Sequence, residues 1–327
     1  MTINHAITTT AEAYAPATVA NLGVGFDVLG LALSEPGDVI RAEWTTETRG
    51  IFIREIEGDS GKLPREPKKN TACVSAESAV RAAVIKCGGE IERLVSERGI
   101  ALTIIKGLPA ASGLGSSAAS AVAGALVVNA LMGEPLTRGE LLPACLDGEA
   151  VASGYHPDNV APCLFGGITL ATGLTADVIF QLPVPQKLCL ALVTPDVEVP
   201  TSKARAALPK EIPLKSMVQQ TAAIAQLIHA LHRGDIELLA AAMERDVVIE
   251  PAREHLMPYL KAVRAAAKQA GALALTISGA GPTLCAVCDS DEVASHVSEA
   301  MKTVYDNAGI ESVARATAVA HGGARIL

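Results

Sequence analysis

The chain is poor in aromatic side chains, which make up 3% of its 327 residues and include a single Trp. A core must therefore be filled by Ala, Val, Leu and Ile, and with half of all residues apolar a large one can be built. Positive charge is also short. There are 27 Lys and Arg against 35 Asp and Glu, a formal net charge of −8, and no basic cluster or stripe. That excludes nucleic acid as the main ligand. An acidic protein can still bind a polyanionic nucleotide, but through locally placed donors or a metal ion, not through its overall field. Long apolar runs are missing too. The longest, around 118–132, contains Ser and Asn and falls short of the ~20 residues of a membrane span. The start, Met1-Thr-Ile-Asn-His-Ala-Ile7, lacks the basic and apolar regions of a signal peptide, so a soluble, cytoplasmic protein is expected. Seven cysteines, an odd number, lie scattered among apolar neighbours. The pair Cys285 and Cys288 sits in an apolar run, and no second pair or His pair stands at zinc-ligand spacing. Buried, reduced thiols are expected.

Against these absences one stretch stands out, Gly107-Leu-Pro-Ala-Ala-Ser-Gly-Leu-Gly-Ser-Ser-Ala-Ala-Ser-Ala-Val-Ala-Gly124. It begins as a flexible loop and runs directly into a helix, because Ala119, Val122, Ala123, Leu126 and Ala130 recur at helical spacing. Glycines ahead of a helix start let backbone approach a ligand, and the first N–H groups of the helix are unpaired and electropositive. Such a start is a ready phosphate site. Ser116 and Ser117 stand there, one placed to cap the helix and one to meet a metal ion. On the loop alone, a phosphate site and a capped turn both remain open. The loop is not a Walker A motif, since no Lys follows its glycines. Nor is it a dinucleotide fingerprint, since Ala118 occupies the place of the third Gly.

The length allows two domains, and the elements read as α+β. A strand over 11–19 enters the loop Asn21-Leu-Gly-Val-Gly-Phe-Asp27, and a second strand follows over 28–33. Residues 39–57 alternate in the manner of a hairpin. A helix starts at Asn70, with Ala76, Val80, Ala83, Val84 and Cys87 on one face, and ends at Gly88. A strand over 100–106 delivers the chain into the loop. Thr137 caps a helix reaching Glu149. The polar stretch Ser153-Gly-Tyr-His-Pro-Asp-Asn159 follows, and then a strand to Thr172. A domain boundary is expected near 170–190, giving domains 1–180 and 181–327. The second domain reads as a strand over 188–194, helices over 214–232 (Met217, Ile224, Ile228 and Leu231 on one face), 235–249 and 256–270, strands over 272–277 and 284–288, helix 291–308 and strand 312–319. That is a sandwich of helices on a sheet.

Gly-rich backbone with hydroxyls at a helix start points to a triphosphate, and phosphoryl transfer is mostly positioning plus charge neutralisation. Without a loop Lys, Mg²⁺ must carry more of the neutralisation. It needs only one or two protein oxygens besides phosphate, which Ser116 or Ser117 with Glu149 would supply. An acceptor hydroxyl needs a carboxylate to orient it or take its proton, and Asp158 is the candidate. Arg205 and Arg253 are candidate forks for a substrate carboxylate.

Three stretches together resemble the GHMP kinase family: Pro16-Ala-Thr-Val-Ala-Asn-Leu-Gly-Val-Gly-Phe-Asp27, Pro109 to Ala119 with Gly-Leu-Gly-Ser-Ser-Ala, and Ser278-Gly-Ala-Gly-Pro-Thr283. The resemblance spans essentially the whole chain. Ser153-Gly-Tyr-His-Pro-Asp-Asn-Val-Ala-Pro162 and Glu250-Pro-Ala-Arg253 are most similar to members that phosphorylate the side-chain hydroxyl of L-homoserine. The resemblance implies an N-terminal ribosomal protein S5 domain 2-like domain and a C-terminal ferredoxin-like α/β sandwich. It implies ATP phosphates on Pro109, Ala110, Ala111, Ser112, Gly113, Leu114, Gly115, Ser116, Ser117, Ala118 and Ala119, with Asn70 near the adenine. It places Mg²⁺ at the loop Ser, Ser117 foremost, and Glu149. It implies homoserine held by Asn21, Asp27, His156, Asp158, Asn159, Arg205 and Arg253, with Asp158 at the hydroxyl and the arginines at the carboxylate. Whether Asp158 removes a proton or only orients the hydroxyl is open at this stage, as is a homodimeric assembly. Other readings are a mevalonate- or shikimate-type kinase of the family, or a non-catalytic nucleotide-binding protein of the same fold. The latter would be expected to lack Glu149 or Asp158, and both are present.

Overall fold

The computed structural model describes residues 6–327; the stretch Met1–His5, part of the segment read for a leader, lies outside them. Strand β1 (Thr10–Ala20) pairs antiparallel with β2 (Leu29–Thr45) on both sides of an irregularity at Pro16/Thr18. Residues 39–57 are not a hairpin. The second half of the stretch is β3 (Gly50–Glu57), which pairs parallel with β4 (Gly99–Ile105), and β4 lies between β2 and β3. Between β3 and β4 come α1 (Thr71–Cys87) and α2 (Gly89–Glu97), a helix the sequence pattern did not show. Asn70 caps α1, its Oδ1 accepting from Ala72 N and Cys73 N. The buried face of α1 is Ala72, Cys73, Ala76, Ala79 and Ala83; Val80, Val84 and Cys87 are only half-buried.

Helix α3 (Ser116–Leu131) is buried on every side from Ala118 onward, so its apolar spacing marks a central helix and not an amphipathic one. The scarcity of aromatics matters here. Alanines line α1 and α3 where they pack, and small side chains let the helices approach closely. Helix α4 (Arg138–Ala150) begins with a capping box of Thr137 and Glu140 and carries the buried Glu149 in its last turn. The polar stretch after it is itself helical, α5 (Pro157–Phe165), with Pro157 in the first turn, where proline is tolerated. Strands β5 (Ile168–Ala171) and β6 (Ile179–Leu182) complete this part of the first sheet. The expected boundary at 180/181 falls inside β6.

Strand β7 (Cys189–Pro195) opens the second sheet. After it come α6 (Thr201–Ala206), α7 (Leu214–Arg233), α8 (Ile236–Met243), α9 (Ile249–Arg253) and α10 (Leu260–Gln269). The helix read over 235–249 therefore stops at Met243, and a separate helix, α9, begins only at its last residue. Asp246 breaks it by accepting from Val248 N, Ile249 N and Glu250 N at 2.7–2.9 Å, which starts α9 and sets up Arg253. Of the expected face of α7, Leu231 is buried but Met217 is exposed, and Ala223, Leu227 and Ala230 complete the buried side.

Strands β8 (Ala274–Ile277) and β9 (Leu284–Cys288), helix α11 (Asp291–Asn307) and β10 (Ser312–Ala318) complete a four-stranded antiparallel sheet of order β10-β7-β9-β8. This order and the strand–helix alternation are those of a ferredoxin-like fold. Both faces are covered. Leu190, Leu192, Cys285 and Val287 join the core shared with the first sheet, while Ala191, Val193, Leu284, Ala286 and Cys288 pack under α10 and α11. Cys285 and Cys288 thus face opposite sides of one strand and cannot act as a pair; all seven cysteines are free. The chain ends by returning to the first sheet, where β11 (Arg325–Ile326) pairs with β1.

Candidate active site

The Gly-rich loop is tied down at both ends. At its start, the fully buried Asp38 of β2 accepts from Gly107 N (3.1 Å), Leu108 N (3.2 Å) and Ser120 Oγ (2.9 Å), and pairs with Lys106. At its far end, Thr18 N donates to Leu114 O, Ser278 Oγ to Gly113 O (2.6 Å) and Thr283 Oγ1 to Ser112 O (2.6 Å). Gly115 turns the chain into α3 with φ +65°, and a Cβ there would stand 2.0 Å from Thr18 Oγ1. Only glycine meets both demands. No side chain caps α3: Ser116 Oγ donates to Leu108 O, and Ser117 Oγ donates to Glu149 Oε1 at 2.9 Å. The expected capping role of one hydroxyl is thus replaced by a loop tie. The helix start is left free for an anion.

A cleft of about 470 Å³ opens over this helix start. Its walls come from the Asn21–Asp27 loop, the Gly-rich loop, the end of α4, the start of α5, α6, Arg253 of α9 and the Gly279–Gly281 turn. Two buried carboxyl groups face it. Glu149 accepts through Oε1 from Ser117 and Ser153, while its Oε2 has no partner. Burial pushes this acid up to about 7. Asp158, in the first turn of α5, is also raised to about 7, by burial and then by the neighbouring Asp27 charge, and its Oδ1 has no partner. Two orphaned acceptors in one cleft are unusual in a settled core.

Charge of the other sign sits across from them. Arg205 makes a two-pronged pair with Asp27 (3.0 and 2.7 Å), and its Nη2 lies 3.1 Å from His156 Nδ1. Burial and this guanidinium lower the His156 pKa, so the imidazole is neutral and accepts from Arg205. Arg253 is buried, donating from Nε to Ala204 O and from Nη1 to Gly279 O. The Phe26 ring lies under both guanidinium groups, 5.5 Å from Arg205 and 5.1 Å from Arg253. Asn21 holds its own loop by accepting from Asp27 N and reaches Gly279 O with Nδ2, so its amide joins the two halves of the wall. Asn21 and Asp27 both adopt φ near the left-handed region, +74° and +61°. Such strain in non-glycine residues gathers where a surrounding structure enforces a shape.

Most of the expected site residues therefore meet in one cleft. Pro109, Leu114, Ala118 and Ala119 are the exceptions: they do not line it, the last three are buried, and Pro109 faces a neighbouring cavity. Asn70 lines the cleft, but its amide is engaged in capping α1 and in donating to Pro64 O. Asn159 accepts from Thr18 Oγ1 at 2.6 Å. Residues that the sequence did not single out are also here. Ser153 fixes Glu149 from one helical turn on, and Lys106 stands behind the loop. Lys106 was within reach of a sequence reading, because it is the residue that joins β4 to the loop.

The donor set suits a hard divalent cation bound alongside phosphate. One free carboxylate oxygen and one hydroxyl face the helix start, and among the described residues no cluster of three or more His, Cys, Asp or Glu could hold a metal alone.

Comparison with known proteins agrees with this architecture. The family model described as GHMP kinases N terminal domain matches residues 77–167, and GHMP kinases C terminal matches 227–307. A homoserine kinase of Chloroherpeton thalassium is 39% identical over 325 residues, covering 96% of this chain and 98% of the relative. One from Arabidopsis thaliana is 39% identical over 97% of this chain and 84% of its own length. The crystal structure of homoserine kinase from Cytophaga hutchinsonii superposes with a TM-score of 0.89 at 38% identity, covering 98% of both chains.

Proposed function

The chain belongs to the GHMP kinase family, in its homoserine kinase branch, and from this we propose how its cleft performs that branch's reaction. The enzyme transfers the γ-phosphoryl group of ATP to the side-chain hydroxyl of L-homoserine, giving ADP and O-phospho-L-homoserine, a step of threonine biosynthesis. The observation that carries the assignment of roles is the pair of orphaned, buried carboxylate oxygens on Glu149 and Asp158, set in one cleft with a free helix start and two arginines.

In this reading the N–H groups at the start of α3 and the backbone of residues 110–117 receive the triphosphate. Ser117 and Glu149 would hold Mg²⁺, which when bound would screen the phosphate charge. Asp158 accepts the hydroxyl hydrogen bond of the acceptor and points its oxygen at the γ-phosphorus. The new oxygen–phosphorus bond forms as the bond to the β–γ bridging oxygen breaks; ADP leaves with that electron pair, and the hydroxyl proton passes to Asp158 if the carboxylate is a base, or otherwise to the transferred phosphoryl group. Arg205 and Arg253 take the α-carboxylate through guanidinium N–H groups not committed to Asp27 or to the Ala204 and Gly279 carbonyls, and Asp27 takes the α-ammonium. No described helix is long and apolar enough to cross a membrane.

The test is an ADP-release assay run in parallel on L-homoserine, mevalonate, shikimate and galactose with Mg·ATP. Turnover confined to homoserine is expected. Turnover of another acceptor with none on homoserine would overturn the reading.

A further inference from the structure

The buried pair of Asp38 and Lys106 belongs to none of the roles above, yet it sits directly beneath the loop. Lys106 is the last residue before the loop's first glycine, and its side chain is 3% exposed; that of Asp38 is 0% exposed. The ammonium also donates to Ser120 Oγ at 2.9 Å and to Ser116 O at 3.2 Å, one turn apart on α3. The carboxylate collects four donors: Lys106, Gly107 N, Leu108 N and Ser120 Oγ. Three separate pieces of chain are joined in this way, namely strand β2 through Asp38, the loop entrance through 106–108, and the first two turns of α3 through Ser116 and Ser120.

A buried ion pair is a poor source of net stability, because desolvating two charges offsets most of their attraction. What it does supply is directionality. The pair holds the carbonyl of Ser116 from below, which fixes the tilt of the peptide groups whose N–H ends face the cleft. Lys106 also lines that cleft, so a positive charge stands behind the helix start even though the loop itself carries none. We propose that Asp38 and Lys106 form the positioning element of the phosphate loop, setting its grip on the nucleotide and leaving the acceptor subsite untouched. The proposal rests on the nucleotide reading of the loop but not on the identity of the acceptor.

The test uses the full chain and two readouts, the Kd of Mg·ADP by titration calorimetry and the KM values of ATP and homoserine. Either single change, Asp38→Asn or Lys106→Met, strands a buried charge and is expected to cost folding. The double variant D38N/K106M removes both charges and keeps the volume, so it is the informative protein. Its Kd for Mg·ADP and KM for ATP should rise at least about tenfold, with the KM of homoserine unchanged. Ile91→Val, a buried change in α2 away from the pair, serves as the control. It should lower Tm and leave nucleotide affinity alone. A folded double variant with wild-type Mg·ADP affinity would overturn the proposal, and so would equal increases in both KM values. Failure of homoserine turnover in the wild-type protein would affect the assigned acceptor only, since the Mg·ADP titration does not depend on it.

Discussion

In the proposed mechanism Asp158 is the residue on which the chemistry turns, and its environment sets how it can act. Its carboxyl is buried beside Asp27 and raised to about 7, while Arg205 pulls the other way. Asp158→Asn keeps the shape and a hydrogen-bond acceptor but cannot take a proton. If the carboxylate is a base, kcat should fall about 100-fold or more; if it only orients the hydroxyl, the loss should be closer to tenfold. In both cases the Kd of Mg·ATP should stay within twofold, and an unchanged kcat would remove Asp158 from the mechanism. Glu149 gives a pH prediction with a definite sign. Its folded-state value, about 7, lies above that of an exposed glutamate, so the free protein favours the protonated acid. The stability this contributes is complete at acid pH and is lost as pH rises through about 7. Binding a cation requires the ionised form, so Mg·nucleotide binding must release a proton below that pH. Affinity for Mg·ADP should therefore climb between pH 5 and pH 7 and then level off. Glu149→Gln should flatten that profile as well as weaken binding, and a pH-independent wild-type affinity would take Glu149 out of the cation site.

Among the elements, α3 and its loop were the most legible from sequence, because glycine spacing and helical periodicity are local signals. Even there the reading stopped at the backbone. Nothing local shows that Ser116 ties back to Leu108 while Ser117 turns to Glu149, thirty-two residues away. The false hairpin over 39–57 has the same cause: β3 lies beside β4, a partner that arrives only after two helices. Helix α5 hid behind Pro157 and Pro162, and α9 behind the carboxylate of Asp246, so the elements that present Asp158 and Arg253 were read as something else. Most of the residues that meet in the cleft could be named in advance, though not Ser153 or Lys106, and the way each is held could not. Gly115 is where element and site coincide. Alanine there would meet a left-handed φ that costs about 1–2 kcal/mol and would displace Thr18, which in turn positions Asn159. Gly115→Ala should weaken Mg·ADP binding at least about tenfold and lower Tm. Wild-type affinity in that variant would mean that the loop need not adopt this turn to hold phosphate.

At the scale of the molecule, the cleft exists because the chain crosses between its two sheets and comes back. Asn21 and Arg253 both reach Gly279 O, and Ser278 reaches Gly113 O, so the second sheet's turn closes the first sheet's loop. After β10 the chain returns. Ala320 bonds to Ala32 and receives Gly167 N, Ala324 N reaches Cys163 O, and β11 joins β1. Arg138 locks this return. From the first residue of α4 its guanidinium donates to Leu164 O at the end of α5, to Gly322 O (3.2 Å) and to Ala324 O (2.6 Å). Glu149 lies at the other end of α4 and Asp158 at the other end of α5, so the lock sets the spacing of the two carboxylates from behind. Arg138→Gln would leave partly buried carbonyls short of a charged donor, at a cost of about 2 kcal/mol, and Tm should fall by several degrees. Because the helices that carry both acids lose a shared anchor, kcat should fall with it, while the KM of ATP, set by the loop, should hold. A lower Tm with unchanged kcat would mean that α4 and α5 keep their register without the return strand, and that the tail serves stability alone.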